Sequence, residues 1–358
     1  MIVALRADAS AAIGFGHLVR CLALGHALRA LGARVAVVVR ELGADAVGRV
    51  RDAGFDAIRL PAPEAPAPDG PRPPYSAWAG VREDEDAAQT AAALAELPFG
   101  RARRVVVDHY AFGAAWHRAV ADALDAPVAA IDDLADRPMA VDVLVDPNRS
   151  EAPAAKWAAC LGAGTELLAG PSHALLGPAY ARAPRWRPRD AVRSVGVFLG
   201  GTDPGDHAPG VLRALDAAGF DGEIEVVATR AYPRLEALRS AVAARPRTTL
   251  SIDLPDLAAF FARHDLQVGA GGGATWERCC IGAPTLAIAV ADNQRRVLDP
   301  LAGPRVIRVA DAATPDAIAR GLRPLLDDPA LRAALSAAAT RLVDGGGAAR
   351  VAHRLLRP

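Results

Sequence analysis

Two glycines and a histidine near the start of the chain form the segment best suited to chemistry. Gly14, Gly16 and His17 follow the apolar residues 2–5, and apolar residues at helical spacing come after them. The pattern predicts a buried strand, a glycine turn and a helix with His17 in its first turn. Free amides at a helix start attract negative charge and disfavour an imidazolium. The segment therefore indicates a neutral base beside an anion site.

Other interpretations of this segment stay open. The fingerprint Gly-x-Gly-x-x-Gly is absent because position 19 is Val19, which disfavours a dinucleotide-binding turn. A histidine at this spacing can also cap or pack a helix instead of acting in catalysis. His109, which follows an apolar run at residues 104–108, is the rival base.

A second glycine-rich turn lies in the other half of the chain. Gly271, Gly272 and Gly273 follow the apolar residues 266–269 and precede a helical pattern. Bare amides in such a turn suit a phosphate, and Glu277, about one helical turn further on, can accept both hydroxyls of a ribose. A phosphate with a ribose beyond it describes a nucleoside diphosphate. The alternative is a turn in which glycines serve only close packing of helix on strand.

Several other residues could either bind a ligand or serve only the fold. Gly200 and Gly201 end a predicted strand, where their amides could contact a pyrophosphate, whereas Asp203 could simply cap the next helix. Asn293 either hydrogen-bonds a sugar or only begins a helix. The adjacent pair at residues 132 and 133 does not make a metal site, because neighbouring side chains point in different directions and no third ligand is suitably spaced. We therefore expect no metal and no cofactor.

Strand and helix patterns alternate along the whole chain, which predicts parallel sheets with helices on both faces. The predicted strands are residues 2–6, 34–39, 104–108, 127–131, 141–145, 166–169, 194–199, 223–228, 248–252, 266–269, 285–290 and 305–309. Two sets of about six strands predict an α/β protein with two Rossmann-like, doubly wound domains facing a cleft. We expect an N-terminal domain at residues 1–178 with the base and the sugar side of the site. A second domain at 190–345 would bind the nucleotide, and a helix at 346–358 would cross back.

Two proline-rich stretches predict irregular segments, and the composition limits the kinds of partner. Residues 176–193 are the best linker candidate, and residues 61–74 are expected to form a surface loop. Basic and acidic residues balance at 41 each, so no overall charge recruits nucleic acid or a membrane surface. The start of the chain has no basic leader, and no apolar run approaches the roughly 18 residues of a membrane span. We expect a soluble, cytoplasmic monomer whose partner is a small-molecule substrate.

Several motifs together resemble a known family. They are Arg6-x-Asp8-x-Ser10-x-x-Ile13-Gly14-x-Gly16-His17, Val107-Asp108-His109-Tyr110, Phe198-x-Gly200-Gly201-x-Asp203-Pro204, Gly269-Ala270-Gly271-Gly272-x-x-Thr275-Trp276-Glu277 and Ala291-Asp292-Asn293-Gln294. The chain thereby resembles the UDP-2,4-diacetamido-2,4,6-trideoxy-β-L-altropyranose hydrolases of bacterial pseudaminic acid biosynthesis, which are related to spore-coat polysaccharide proteins.

The resemblance implies a glycosyltransferase-B architecture with His17 as the catalytic base. It implies a UDP site made by Gly200, Gly201, Gly271, Gly272, Gly273, Thr275 and Glu277. It also implies a sugar site made by Asp8, Ser10, Gly14, Gly16, Tyr110 and Asn293.

The expected reaction is hydrolysis of the UDP-sugar to the free sugar and UDP. His17 would take a proton from a water that attacks C1 opposite UDP, which inverts C1. Backbone amides can stabilise the UDP leaving group, so that no general acid is needed. The alternatives are a UDP-sugar-dependent glycosyltransferase of the same fold, acting in surface polysaccharide synthesis, and a catalytically silent UDP-sugar-binding protein.

Overall fold

The chain consists of two compact units. The computed structural model describes residues 1–64, 75–303 and 305–357, apart from the side chains of residues 292 and 293. Unit 1 comprises residues 1–178 and 346–358, and unit 2 comprises residues 179–345. Most of the proline-rich stretch at residues 61–74, namely residues 65–74, lies outside the described residues.

Unit 1 is built on a seven-stranded parallel sheet in the order β3-β2-β1-β4-β5-β6-β7. Its strands are β1 (Ile2–Ala7), β2 (Arg34–Arg40), β3 (Asp56–Leu60), β4 (Arg104–Asp108), β5 (Val128–Ile131), β6 (Val143–Asp146) and β7 (Glu166–Ala169). Its α-helices are α1 (Gly16–Ala30), α2 (Ala46–Asp52), α3 (Glu83–Ala95), α4 (Ala114–Leu124), α5 (Pro153–Trp157) and the last helix of the chain, α14 (Gly347–Leu355). Short 3-10 segments lie at Ser76–Ala79 and Pro171–His173.

Helix α14 belongs to the core of unit 1, although it follows unit 2 in the sequence. Val351, Ala352 and Leu355 are fully buried and share a hydrophobic cluster with Leu18 and Leu24 of α1. The apolar residues of α14 recur at helical spacing, so that one face packs and the other remains polar.

Unit 2 is built on a six-stranded parallel sheet in the order β10-β9-β8-β11-β12-β13. Its strands are β8 (Ser194–Phe198), β9 (Glu223–Ala228), β10 (Thr248–Ile252), β11 (Leu266–Ala270), β12 (Thr285–Ile288) and β13 (Arg308–Val309). Its helices are α7 (Ala208–Ala217), α8 (Leu235–Ala243), α9 (Ala258–Arg263), α10 (Ala274–Ile281), α11 (Asp292–Ala302), α12 (Pro315–Asp327) and α13 (Pro329–Leu342), while the short helix α6 (Pro178–Arg182) begins at the unit boundary.

The strand order of each sheet reverses direction at one point, and ligands of such sheets bind beyond the carboxyl ends of the strands there. In unit 1 this point lies between β1 and β4, where Ala7 is the register partner of Asp108. In unit 2 it lies between β8 and β11, where Gly269 pairs with Phe198. The glycine segments singled out in the sequence follow β1, β8 and β11, and therefore flank these two points.

The segment expected to be a linker instead packs into unit 2. Tyr180 and Trp186 are buried, the backbone N–H of Trp186 donates to the carbonyl of Ile281 at 2.8 Å, and its indole N–H donates to the carbonyl of Asp265 at 3.1 Å. The two units meet in sequence between residues 178 and 179. The boundary between the units therefore falls within the predicted linker, residues 176–193, although Tyr180 and Trp186 of this segment are buried in unit 2.

Candidate active site

His17 is held by the carboxylate that ends strand β4. Its Nδ1 lies 2.5 Å from Oδ1 of Asp108, which is fully buried, while the His17 residue is 7% exposed. A carboxylate accepts only, so the neutral imidazole carries its proton on Nδ1 and leaves the lone pair of Nε2 available. A base oriented by a buried carboxylate is a recurrent catalytic arrangement. The sequence had marked Asp108 as a strand end and not as the partner of His17.

Arg20, one turn after His17 on α1, fixes the same carboxylate. Its Nε donates to Oδ2 of Asp108 at 2.5 Å and its Nη2 donates to Oδ1 at 2.6 Å. Burial alone would raise the pKa of Asp108, but Arg20 and His17 together lower it to about 2. Asp108 therefore remains ionised at neutral pH and keeps accepting from Nδ1 of His17.

Aromatic rings surround the base. The Tyr110 ring packs edge-on against the His17 ring at 4.6 Å between centroids, and the Trp78 ring lies 6.1 Å from it. Tyr75 packs against both Trp78 and Tyr110. The hydroxyl of Tyr110 donates to Asp133 at 2.6 Å, so a substrate would meet mainly the ring of this residue. The sequence had pointed to Tyr110 but to neither of the other two rings as members of the site.

The rival base, His109, is buried, and its Nε2 makes no hydrogen bond within the described residues. Its Nδ1 accepts from the backbone N–H of Ala111 at 3.1 Å, so the proton of the neutral ring is on Nε2, which lies 3.5 Å from Asp8. Burial lowers the pKa of His109 to about 4, against the opposing charge of Asp8. The residue is 3% exposed. It lacks an accessible lone pair, and we discount it as the base.

Asp8 was expected to contact the substrate, but it has no exposed surface. Its carboxylate accepts from the guanidinium of Arg6 at 2.5 and 2.8 Å and from the backbone N–H of Arg40 at 2.6 Å. The same two arginines also pair with buried Asp86. Asp8 thus belongs to a buried charge network that joins β1, β2 and α3, and we withdraw it from the substrate contacts.

The remaining residues of this segment shape the turn before α1. The hydroxyl of Ser10 accepts from the N–H of Ile13 at 3.1 Å, and the N–H of Gly14 donates to the carbonyl of Ser10 at 2.8 Å. Gly14 has φ = +72°, a conformation that favours glycine. Gly16 opens α1, is exposed and has nothing within 4 Å of the place where a Cβ would lie. Among these residues, Gly16 offers the most open approach to the helix start.

In unit 2 the surroundings of the three consecutive glycines differ. The N–H of Gly271 donates to Oε1 of Gln294 at 3.1 Å, and a Cβ there would lie 2.6 Å from the Leu298 side chain. Gly272 and Gly273 have no positive φ, and a Cβ on either would meet nothing within 4 Å. Their amides donate to no backbone carbonyl of the described residues. Packing therefore explains Gly271, whereas Gly272 and Gly273 leave space and donors for a ligand.

Replacing Gly273 by alanine tests this difference. Because the residue is exposed, has φ = −53° and precedes α10, G273A is expected to leave the free energy of unfolding unchanged or raise it by up to about 1 kcal/mol. The same methyl group would obstruct a phosphate and weaken UDP binding about 10-fold or more, measured by calorimetry. The matched variant G271A is expected to destabilise the fold through its clash with Leu298. Unchanged UDP affinity in a folded G273A protein would remove this turn from the phosphate site.

The turn after β8 is more constrained. Gly200 has φ = +97°, and Gly201 packs against Thr229, whose hydroxyl donates to the carbonyl of Gly201 at 2.8 Å. The carboxylate of Asp203 accepts from the N–H of Ala208 at 2.9 Å, at the start of α7. Asp203 therefore makes the helix-capping contact that was the non-catalytic alternative for this residue. Gly200 and Gly201 shape a tight turn at the end of the strand.

Of the polar residues expected to hold UDP on α10, only Glu277 is reachable. Thr275 is fully buried, with its hydroxyl accepting from Nη2 of Arg278 at 3.2 Å, and we withdraw its side chain from the UDP contacts. Glu277 is partly exposed. Burial raises its pKa to about 7, with smaller opposing effects from the Tyr180 hydroxyl and Arg278. The side chain of Asn293 lies outside the described part of the chain.

Because the pKa of Glu277 is raised, its replacement should affect the stability of the fold and the affinity for UDP in different ways. The folded state favours the protonated acid, so the carboxylate costs stability that grows as pH rises from about 4.5 through 7. E277Q is therefore expected to raise the thermal unfolding midpoint at pH 8 and to change it little at pH 4.5. It should also weaken UDP more than 2′-deoxy-UDP, because the acceptor for the ribose hydroxyls is lost. Equal affinities of wild type and E277Q for UDP would remove the ribose assignment.

Among the described residues, no cluster of three or more His, Cys, Asp or Glu side chains has the geometry to hold a metal ion. None of the helices in the described ranges combines the length and the apolar character that crossing a membrane requires.

Comparisons with known proteins place the architecture. No family model matches the chain. The spore coat polysaccharide biosynthesis protein SpsG of Bacillus subtilis (strain 168) is 26% identical over 193 residues, which are 52% of this chain and 57% of SpsG. The chain thus matches little more than half the length of this curated relative.

Solved structures match over nearly the whole chain. The glycotransferase of kitacinnamycin superposes with a TM-score of 0.67 at 19% identity, covering 99% of both chains. LpCGTa in complex with UDP superposes with a TM-score of 0.66 at 15% identity, covering 100% of this chain and 99% of the other. The chain has the glycosyltransferase-B fold. The predicted fold class, two Rossmann-like parallel-sheet units, is thereby confirmed, and at these identities the glycosyltransferase-B likeness concerns the fold alone.

Proposed function

We propose that this chain is an inverting, UDP-sugar-dependent glycosyltransferase of surface polysaccharide synthesis. The hydrogen bond between His17 and Asp108 carries the proposal, since it prepares an oriented base at the carboxyl edge of unit 1. The glycine turn before α10 and Glu277 supply a nucleotide site in unit 2. The similarity to SpsG and to sugar-transferring enzymes of the same fold supports an acceptor hydroxyl as the nucleophile.

The proposed chemistry uses one proton transfer. The attacking hydroxyl gives its proton to Nε2 of His17 while its oxygen forms a bond to C1 of the sugar. The bond from C1 to the UDP oxygen breaks, and its electron pair stays on the diphosphate. Asp108 stabilises the imidazolium that forms, and the amides of Gly272 and Gly273 offset the charge on the leaving group. Attack from the face opposite UDP inverts C1.

Hydrolysis is the second candidate, with water in place of the acceptor. It is favoured by the resemblance to the UDP-2,4-diacetamido-2,4,6-trideoxy-β-L-altropyranose hydrolases. It is also favoured by the small access to His17, which is 7% exposed and flanked by the Tyr110 and Trp78 rings. A narrow approach to Nε2 suits a nucleophile as small as water.

Isotope labelling separates the two candidates. The protein is incubated with UDP-2,4-diacetamido-2,4,6-trideoxy-β-L-altropyranose in ¹⁸O-water, with and without a polysaccharide acceptor fraction. The masses of the products are then measured by mass spectrometry. UDP release only with the acceptor, together with a glycosylated product, supports transfer. Release without an acceptor and with ¹⁸O on C1 of the free sugar supports hydrolysis. Label in UDP means attack at phosphorus and contradicts both mechanisms.

A further inference from the structure

The peptide bond between Ala270 and Gly271 is held from both of its polar ends. The carbonyl of Ala270 accepts from Nη2 of Arg278 at 2.7 Å, and the N–H of Gly271 donates to Oε1 of Gln294 at 3.1 Å. The same oxygen of Gln294 also accepts from the N–H of Val290 at 3.1 Å. We call these two side chains, Arg278 and Gln294, the peptide clamp. It immobilises the residue pair that immediately precedes Gly272.

The clamp determines which amides remain available. With the Gly271 N–H engaged, the next two donors in the chain are those of Gly272 and Gly273, which reach no backbone carbonyl of the described residues. A fixed preceding peptide restricts the directions in which these two N–H groups can point. Donors fixed before the ligand arrives bind an anion more tightly than donors that must first be ordered.

Arg278 is also a buried charge without a carboxylate partner among the described residues. The residue is 1% exposed, and neither its Nε nor its Nη1 has a hydrogen-bond acceptor there. Its other contacts are the Ala270 carbonyl, the Thr275 hydroxyl and the face of the Phe261 ring. An uncompensated buried cation is costly for the empty protein, and an anion bound nearby lowers that cost.

The glycine at position 269 makes space for the guanidinium of Arg278. A Cβ on Gly269 would lie 2.2 Å from Nη1 of Arg278, so glycine at this position makes space for the side chain behind the turn. Burial lowers the pKa of Arg278 to about 10, which still leaves it protonated at neutral pH. The positive charge is therefore a permanent part of the turn that joins β11 to α10.

We propose that Arg278 and Gln294 are positioning residues for the diphosphate of the nucleotide, and that the buried charge of Arg278 makes the turn select a diphosphate over a monophosphate. The inference rests on the proposed function, since it assigns the anion to the nucleotide of the same site. Arg278 acts through the peptide and through its field. It does not touch the ligand, because its side chain is buried beneath the turn.

Calorimetric titrations of the full chain with UDP, UMP and uridine test the clamp. R278M, which keeps an unbranched apolar side chain and removes the guanidinium with its charge, is expected to weaken UDP about 10- to 100-fold and UMP less. Uridine affinity should stay within about 2-fold, because its contacts lie away from the turn. R278K restores the charge and should recover part of the preference for UDP over UMP. Q294M removes the acceptor for Gly271 and should weaken UDP about 3- to 10-fold.

The possible outcomes are distinct. A folded R278M protein with wild-type affinity for UDP overturns the inference, and so does an equal loss for UDP, UMP and uridine, which means a general structural role. If R278M does not fold, Q294M carries the test, and wild-type affinity for UDP in a folded Q294M protein overturns the inference. Failure of the wild-type protein to bind UDP contradicts the proposed function instead.

Discussion

Replacing His17 by alanine is expected to lower turnover of the UDP-sugar roughly 10²–10⁴-fold. The variant loses the imidazole that Asp108 orients to take the proton of the nucleophile, while the glycine turn and Glu277 in unit 2 are unchanged. UDP affinity should therefore stay within about 2-fold of the wild-type value, which places the loss in kcat and not in nucleotide binding. Stopped assays of UDP release and calorimetry with UDP measure the two quantities.

The matched control lies on the same helix. His26 packs against the ring of Phe55 and beside Arg29, away from Asp108, and H26A should keep normal turnover. If H17A retains near-normal turnover while H26A behaves as expected, His17 is not the base. The proton would then have to go to another group, of which His109 is the next candidate despite its burial.

Replacing Asp108 by asparagine is expected to lower turnover by about 10²-fold or more, although the side chain keeps its shape. An amide N–H directed at Nδ1 of His17 forces the ring proton onto Nε2 and removes the lone pair that accepts the nucleophile's proton. Asparagine also leaves the guanidinium of Arg20 without its counter-charge. D142N, which changes an aspartate paired with Arg104 at the amino-terminal end of the same sheet, is the control and should retain turnover.

The same variant carries a stability signature. The pKa of Asp108 is about 2 in the folded protein, below its value of about 3.9 in an unfolded chain. Its ionisation therefore stabilises the fold above about pH 4, and that stabilisation is lost as pH falls towards 2. D108N should be less stable than wild type at pH 7, with the difference shrinking over this acid range in urea unfolding. A pH-independent difference would mean that Asp108 acts through packing alone.

The strand pattern predicted most of the fold because parallel strands buried on both faces are continuous apolar runs. Strand β3 was missed, since it lies at the edge of its sheet and mixes Asp56 and Arg59 with apolar residues. Strand β13 was predicted over residues 305–309 and pairs only over Arg308–Val309. Edge strands carry weaker periodicity because only part of each is buried.

The candidate site was partly predictable for a similar reason. His17 and the glycines stand in local patterns, whereas the partner of His17 is 91 residues away and is brought near only by the pairing of β1 with β4. Motif reasoning also selected Asp8 and Thr275, whose side chains prove to be buried. A sequence motif contains both the residues that build a turn and the residues that contact a ligand. The spacing of the residues alone does not distinguish the two groups.

Helix α14 has a consequence for how the protein is made. The ribosome releases residues 1–178 first, but the Val351, Ala352 and Leu355 side chains that complete their hydrophobic cluster emerge only after all of unit 2. Unit 2 is contiguous in sequence, so it can finish folding while unit 1 still exposes the apolar face of α1. Unit 1 therefore depends on a helix that is synthesised after unit 2, and translation that stops before α14 leaves an exposed apolar surface that chaperones and proteases recognise.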